Sequence, residues 1–78
     1  MKEIKRIAQV KIGNTWKETF VETNPAEVYK WLSHDLIAKK INKAPYIRTI
    51  KRVNTYDGFQ NIIITYDNAC RSIFIIEN

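Results

Sequence analysis

Cysteine and histidine each occur once in the 78-residue sequence, as Cys70 and His34. A single cysteine cannot form an intramolecular disulfide, and a free thiol is typical of a reducing compartment, so we expect a cytoplasmic protein. One histidine and one cysteine also fall short of the four ligands of a structural zinc site. The sequence therefore predicts neither a disulfide nor a metal.

Glycine and long apolar runs are scarce as well. The chain has two glycines, and neither has a second one nearby, which excludes a glycine-rich phosphate loop. We therefore expect no nucleotide cofactor, nor any other. Charged residues interrupt every apolar stretch, so no run approaches the ~20 residues of a membrane span and the N-terminus has no signal-peptide core. The sequence predicts no association with a membrane.

Acidic residues are missing from one long window. Between Leu36 and Tyr56 there is no Asp or Glu, whereas six positive side chains lie there: Lys39, Lys40, Lys43, Arg48, Lys51 and Arg52. The rest of the chain has seven positive and eight negative side chains, so the net charge of +5 belongs to this window. A localised positive surface attracts phosphates or acidic proteins.

The first half of the sequence predicts a hairpin. Gly13-Asn14 separates two extended stretches, Ile4–Ile12 and Thr15–Thr23. Glycine followed by asparagine favours a two-residue type II′ turn, in which the first central residue has a positive φ. The apolar side chains of both stretches are divided between the two faces, which indicates a bulge or a longer loop.

A helix is expected to follow this hairpin. Asn24 can cap it, Pro25 fits the first helical position and Glu27 lies three residues past the cap. We expect the helix to run from Pro25 to about Asn42, because Pro45 forces a stop. Its apolar residues do not form one stripe, so either the helix bends or breaks near Ser33, or its last turns bury a different side.

The second half predicts three strands. Tyr46–Tyr56 and Phe59–Tyr66 flank Asp57-Gly58, a strong hairpin signal, and a turn at Asp67-Asn68-Ala69 leads to Cys70–Ile76. The element order ββαβββ predicts an α+β fold: a single domain over 1–78, with one helix on an antiparallel sheet.

A two-residue loop at Asp57-Gly58 would fix which side chains share a face. It places an apolar set under the helix, comprising Ile47, Val53, Ile62, Ile64 and Tyr66. The opposite face would then present basic and amide side chains interleaved with aromatic ones, as needed to stack bases and bind phosphates. That face would hold Arg48, Arg52, Asn54, Tyr56, Phe59 and Asn61.

No arrangement typical of an enzyme is present. Ser33-His34-Asp35 contains the residue types of a catalytic triad, but neighbours on a helix point about 100° apart, which argues against a relay. Cys70 is expected to be a small buried apolar residue rather than a nucleophile. We therefore expect no catalytic residues and no enzyme activity.

Two binding functions fit these observations. The first is a small regulatory protein that contacts nucleic acid or an acidic protein surface through Lys39, Lys40, Lys43, Arg48, Lys51, Arg52, Tyr56 and Phe59. The alternative is a protein-interaction module, whether inhibitor, adaptor or obligate homodimer, whose second sheet face packs on a partner chain. The Lys-, Ile- and Asn-rich composition is typical of bacteria or their phages.

Overall fold

The computed structural model describes residues 3–40 and 46–78. Five antiparallel strands form one sheet in the order β2-β1-β5-β4-β3, so the first and last strands of the chain are neighbours in its middle. The predicted α+β fold and the ββαβββ order are confirmed. The elements are β1 (Ile4–Ile12), β2 (Thr15–Glu22), α1 (Pro25–Lys40), β3 (Ile47–Asn54), β4 (Phe59–Tyr66) and β5 (Cys70–Glu77).

The β1–β2 hairpin has the predicted turn. Ile12 pairs with Thr15, so Gly13-Asn14 is a two-residue loop. Gly13 has a φ of +62°, whereas Asn14 keeps a negative φ, as in a type II′ turn. A β-bulge also interrupts the ladder, because Ala8 and Gln9 pair with residues two apart in β2. This bulge accounts for apolar side chains on both faces of the hairpin.

Helix α1 begins as its sequence predicts. The Asn24 side-chain oxygen accepts a hydrogen bond from the Ala26 amide at 2.9 Å, which caps the first turn. The helix is continuous through Ser33, and the predicted end near Asn42 lies outside the described residues. Ile37 is 59% exposed, so the second apolar stripe points to solvent and requires no break.

One face of the sheet and one side of α1 form the core. Val28 and Leu32 of the helix pack on strand residues of which Ile64 and Phe74 have no exposed surface. The complete cluster comprises Ile4, Val28, Leu32, Ile47, Ile62, Ile64 and Phe74. In the described part of the chain no element covers the opposite face, which we call the open face.

The β3–β4 hairpin differs from the prediction by one residue. Thr55 pairs with Phe59 through a backbone hydrogen bond of 2.7 Å, so the loop has three residues, Tyr56 to Gly58. The Thr55 hydroxyl donates to the Phe59 carbonyl and accepts from the Phe59 amide, while Gly58 supplies a φ of +92°. A three-residue loop ending in a positive-φ glycine is a common hairpin geometry.

This extra loop residue shifts the pairing of β3 with β4 by one residue, so most side chains of β3 lie on the face opposite to the predicted one. Arg52 pairs with Ile62 and therefore lies on the helix side, whereas Lys51 pairs with Ile63 on the open face. The prediction that placed Val53 under the helix, and Arg52 on the opposite face, was wrong for this reason. A second irregularity near Arg48 restores the register at the start of the strand, where Ile47 is buried as predicted.

No helix in the described residues is long and apolar enough to cross a membrane.

The final turn, Asp67-Asn68-Ala69, joins β4 to β5 as predicted. Asn68 and Ala69 both have positive φ, of 65° and 55°. Asparagine adopts this conformation at little cost, whereas alanine does so with strain.

Candidate binding surfaces

The predicted basic residues lie at the end of α1 and along β3, the outermost strand of the sheet. All of those described are exposed, and Lys43 lies outside the described residues. Among the described residues β3 has a neighbouring strand on one side alone, so its other side is an unpaired strand edge there. We call this set the basic edge; it comprises Lys39, Lys40, Arg48, Lys51 and Arg52.

Contacts within the chain hold the basic edge together and leave its charge largely intact. The Lys39 ammonium donates to the Ile47 carbonyl at 3.1 Å, which ties the end of α1 to the start of β3. Arg48 lies 3.7 Å from the Asp67 carboxylate, but both side chains are largely exposed. Such an exposed pair contributes little and leaves both groups accessible to a partner.

The predicted aromatic and basic face does not exist as one surface. Arg52 and Asn54 lie on the helix side of the sheet, whereas Asn61 lies on the open face. Tyr56 lies in the loop and is fully exposed, while Phe59 is half-buried. The cations therefore flank a strand edge from both sides, with one exposed aromatic ring at its far end.

The open face is aliphatic at its centre. Val21, Ile7, Ile73 and Ile63 are paired in one row across four strands, and Lys51 ends the row. Ile75 and Val53 extend this apolar area in the next row. The sequence pattern of β5 and β4 already showed apolar residues on both faces, which is the signal for such a surface.

Polar side chains border the apolar row. Arg71 donates to the Gln9 side-chain oxygen at 2.6 Å, and its guanidinium lies 4.1 Å from the centre of the Trp16 ring. Desolvation by burial lowers the pKa of Arg71, but an arginine remains charged at neutral pH. Arg71 is thus held flat on the sheet, where it lies beside the apolar row without covering it.

A polar network between helix and sheet was not predicted from the sequence. Asp35 is 3% exposed and accepts a hydrogen bond from the Tyr66 hydroxyl. The Tyr66 hydroxyl also lies 3.2 Å from the Ser72 hydroxyl, to which Arg6 Nε donates at 3.1 Å. Asp35 follows Leu32 by three positions, so its place on the buried stripe of α1 was the available signal.

Aromatic rings surround the arginine of this network. The Arg6 guanidinium carbon lies 5.2 Å from the ring centre of Phe20, 5.3 Å from that of Trp31 and 5.8 Å from that of Phe74. Cation–π attraction at these distances stabilises a partly desolvated guanidinium. Trp31 is 40% exposed, and its ring also packs edge-to-face against the His34 ring, with centroids 5.8 Å apart.

His34 and Asp35 interact, contrary to the expectation for adjacent helical residues. His34 Nδ1 lies 3.2 Å from an Asp35 carboxylate oxygen. Desolvation by burial, assisted by the hydrogen bond to Asp35, raises the pKa of Tyr66 to about 12, so the phenol keeps its proton at neutral pH. The Asp35 carboxylate thus contacts His34 through one oxygen and Tyr66 through the other. The Tyr66 hydroxyl keeps its proton and donates it in the hydrogen bond to Asp35.

No group of three or more His, Cys, Asp or Glu side chains within 3–40 and 46–78 could hold a metal ion. Cys70 is half-buried, with its thiol 3.4 Å from the Asn68 carbonyl oxygen.

No protein-family model matches the chain, and no curated protein or solved structure is significantly similar to it.

Proposed function

We propose that this protein is a non-enzymatic binding protein that holds single-stranded nucleic acid along its basic edge. The observation that carries the proposal is a strand edge flanked by five cations in a chain segment without acidic residues. Its free cysteine fits a role in the cytoplasm.

The shape of the basic edge favours a single strand over a duplex. Strand β3 spans eight residues, about 27 Å at ~3.4 Å per residue, and is one strand wide. Lys51 and Arg52 project to opposite faces of the sheet. A single nucleic-acid strand that runs along the edge of β3 therefore has one of these side chains on each side of it, and both can contact its phosphates. Tyr56, fully exposed at the end of the edge, is placed to stack on a base.

The polar network under α1 supports a structural role rather than catalysis. Asp35 is hydrogen-bonded to Tyr66, whose phenol stays protonated at neutral pH, so both groups have partners within this network. A candidate base would need to reach the proton that it removes. We propose that this network fixes α1 on the sheet and takes no part in a reaction.

Fluorescence anisotropy with labelled oligo(dT), oligo(rU) and a duplex of equal length tests this function. If five phosphates are contacted, the logarithm of the association constant falls with the logarithm of salt concentration at a slope of about −3.5. The double variant Lys51→Glu with Arg52→Glu should bind at least about tenfold more weakly and lower the slope to about −2.

The matched control is Lys11→Glu with Lys17→Glu, which changes the net charge equally on the β1–β2 hairpin, far from β3. It should weaken binding by less than about threefold, because exposed charges beyond a Debye length of ~10 Å are screened. No binding to any oligonucleotide at about 50 mM salt, or equal losses in both double variants, would reject the proposal. Equal affinity for the duplex would reject the choice of a single strand.

A protein-interaction module is the second candidate function. The apolar row of the open face favours it, since isoleucine side chains exclude water but do not stack on bases as aromatic rings do. The two functions use different surfaces apart from Lys51, which belongs to the basic edge and also ends the apolar row.

A further inference from the structure

The open face presents more apolar surface than a small monomer usually exposes. Val21 is 43% exposed and Val53 is 37% exposed, and Ile7, Ile63 and Ile73 between them are only half-buried. Sheets in soluble proteins generally cover such a face or make it polar. The row is continuous across four strands, so it forms one patch rather than scattered residues.

The area of this face is sufficient for a specific interface. Five strands ~4.8 Å apart and eight residues long give a footprint of about 600 Å². Two such faces would bury about 1,200 Å² in total, the lower end of specific protein interfaces.

The open face carries charges of both signs around its apolar row. Acidic Glu18 and Glu77 share the face with Lys5, Lys11, Lys51 and Arg71, so opposite charges are available on both copies of a dimer. Glu18 lies on β2 and Lys51 on β3, the two outer strands. A two-fold axis along β5 brings β2 of one copy over β3 of the other, so that Glu18 lies one residue pair along the strand from Lys51 of the second copy, twice by symmetry.

We infer that the open face packs on the open face of a second copy, so that the protein is a two-fold symmetric dimer of sheets. Ile73 on the middle strand lies nearest the axis, where an isologous interface brings each residue close to its own counterpart. The sheets would pack ~10 Å apart at about 30°, the usual geometry of aligned sheets, and the small helix-side core would gain a second apolar layer. The inference rests on different residues from the nucleic-acid proposal, apart from Lys51.

Sedimentation equilibrium from low to high micromolar protein tests the dimer. Nuclease-treated protein in high salt excludes assembly bridged by nucleic acid. The wild-type chain should have twice the monomer mass, and Ile73→Lys should weaken self-association at least about 30-fold, as expected when a central interface residue is lost. Val53→Lys, at a 37% exposed position, should also weaken it and carries no risk to the core.

The matched control is Ile37→Lys, which makes the same chemical change at an exposed position of α1. This variant should remain dimeric, and circular dichroism should show that all three variants are folded. A wild-type chain that is monomeric at every concentration overturns the inference and leaves the open face to a different protein. Larger open assemblies, or dissociation by Ile37→Lys equal to that by Ile73→Lys, also overturn it. Oligonucleotide affinity decides the nucleic-acid proposal separately.

Discussion

Replacing Tyr66 by phenylalanine probes the polar network that joins α1 to the sheet. The change removes the hydroxyl that donates to Asp35 and contacts Ser72, and it keeps the ring that stacks on Tyr46 with centroids 6.4 Å apart. Because Asp35 is 3% exposed, its carboxylate cannot recover the lost bond from bulk water. The Asp35 oxygen that accepts this bond loses its partner, while the other oxygen keeps its contact with His34, and a buried acceptor atom left unpaired costs about 1–3 kcal/mol.

We therefore expect Tyr66→Phe to lower the free energy of unfolding by about 2 kcal/mol. In a domain of this size that corresponds to a Tm about 8–16 °C lower. Urea denaturation followed by circular dichroism measures the first quantity, and a thermal scan measures the second. Tyr46→Phe is the matched control: it removes the same atom from a 42% exposed side chain, and its effect should stay within about 0.5 kcal/mol.

The pH dependence supplies an independent check on the same residue. Burial raises the pKa of Tyr66 from 10.0 to about 12, so the folded state holds this proton more tightly than the unfolded state does. The stabilisation due to Tyr66 is therefore complete below pH 10 and is lost as the pH rises towards 12. The difference in stability between wild type and Tyr66→Phe should shrink over that range. A constant difference, or a Tyr66→Phe stability equal to that of Tyr46→Phe, would refute the reasoning.

Two further changes test local backbone geometry by urea denaturation. Ala69→Gly should stabilise the fold by about 0.5–1 kcal/mol, because relief of the strain at φ 55° exceeds the entropy cost of a glycine in the unfolded chain; a loss of stability would contradict this account of the turn. Asn24→Ala should destabilise by about 1 kcal/mol through loss of the cap on the Ala26 amide, and Asn24→Ser should restore most of it; an unaffected Asn24→Ala variant would show that the cap is dispensable.

Local signals in the sequence predicted the elements of this fold well. Gly13-Asn14 and the cap at Asn24 act within a few residues, and each was found where the sequence placed it. The continuity of α1 was harder to predict, because Ile37 is apolar and yet 59% exposed. Burial depends on what lies opposite a side chain, and a helical wheel does not contain that information.

The polar network illustrates the same limit. Asp35 and Tyr66 are 31 positions apart. Their hydrogen bond forms because α1 packs on the sheet with Asp35 directly over the end of β4, where Tyr66 lies. Ser33-His34-Asp35 is a local motif in the sequence, whereas Asp35 also has a partner on β4, the Tyr66 hydroxyl. Pairings between distant elements follow from packing and cannot be read from spacing.

The position of one hydrogen bond, from the Thr55 amide to the Phe59 carbonyl, decides which surfaces are available for binding. Side chains alternate along a strand, so a loop of three residues instead of two exchanges the two faces of β3. With the shorter loop, Arg52 would take the place of Lys51 opposite Ile63, and Val53 would turn under the helix, so the open face would lose one of its apolar side chains. With the loop as it is, the cations line the edge on both sides and the centre of the open face stays apolar. Nucleic-acid binding and dimerisation are therefore compatible in one small chain, because the register separates a charged edge from a face whose central row is apolar.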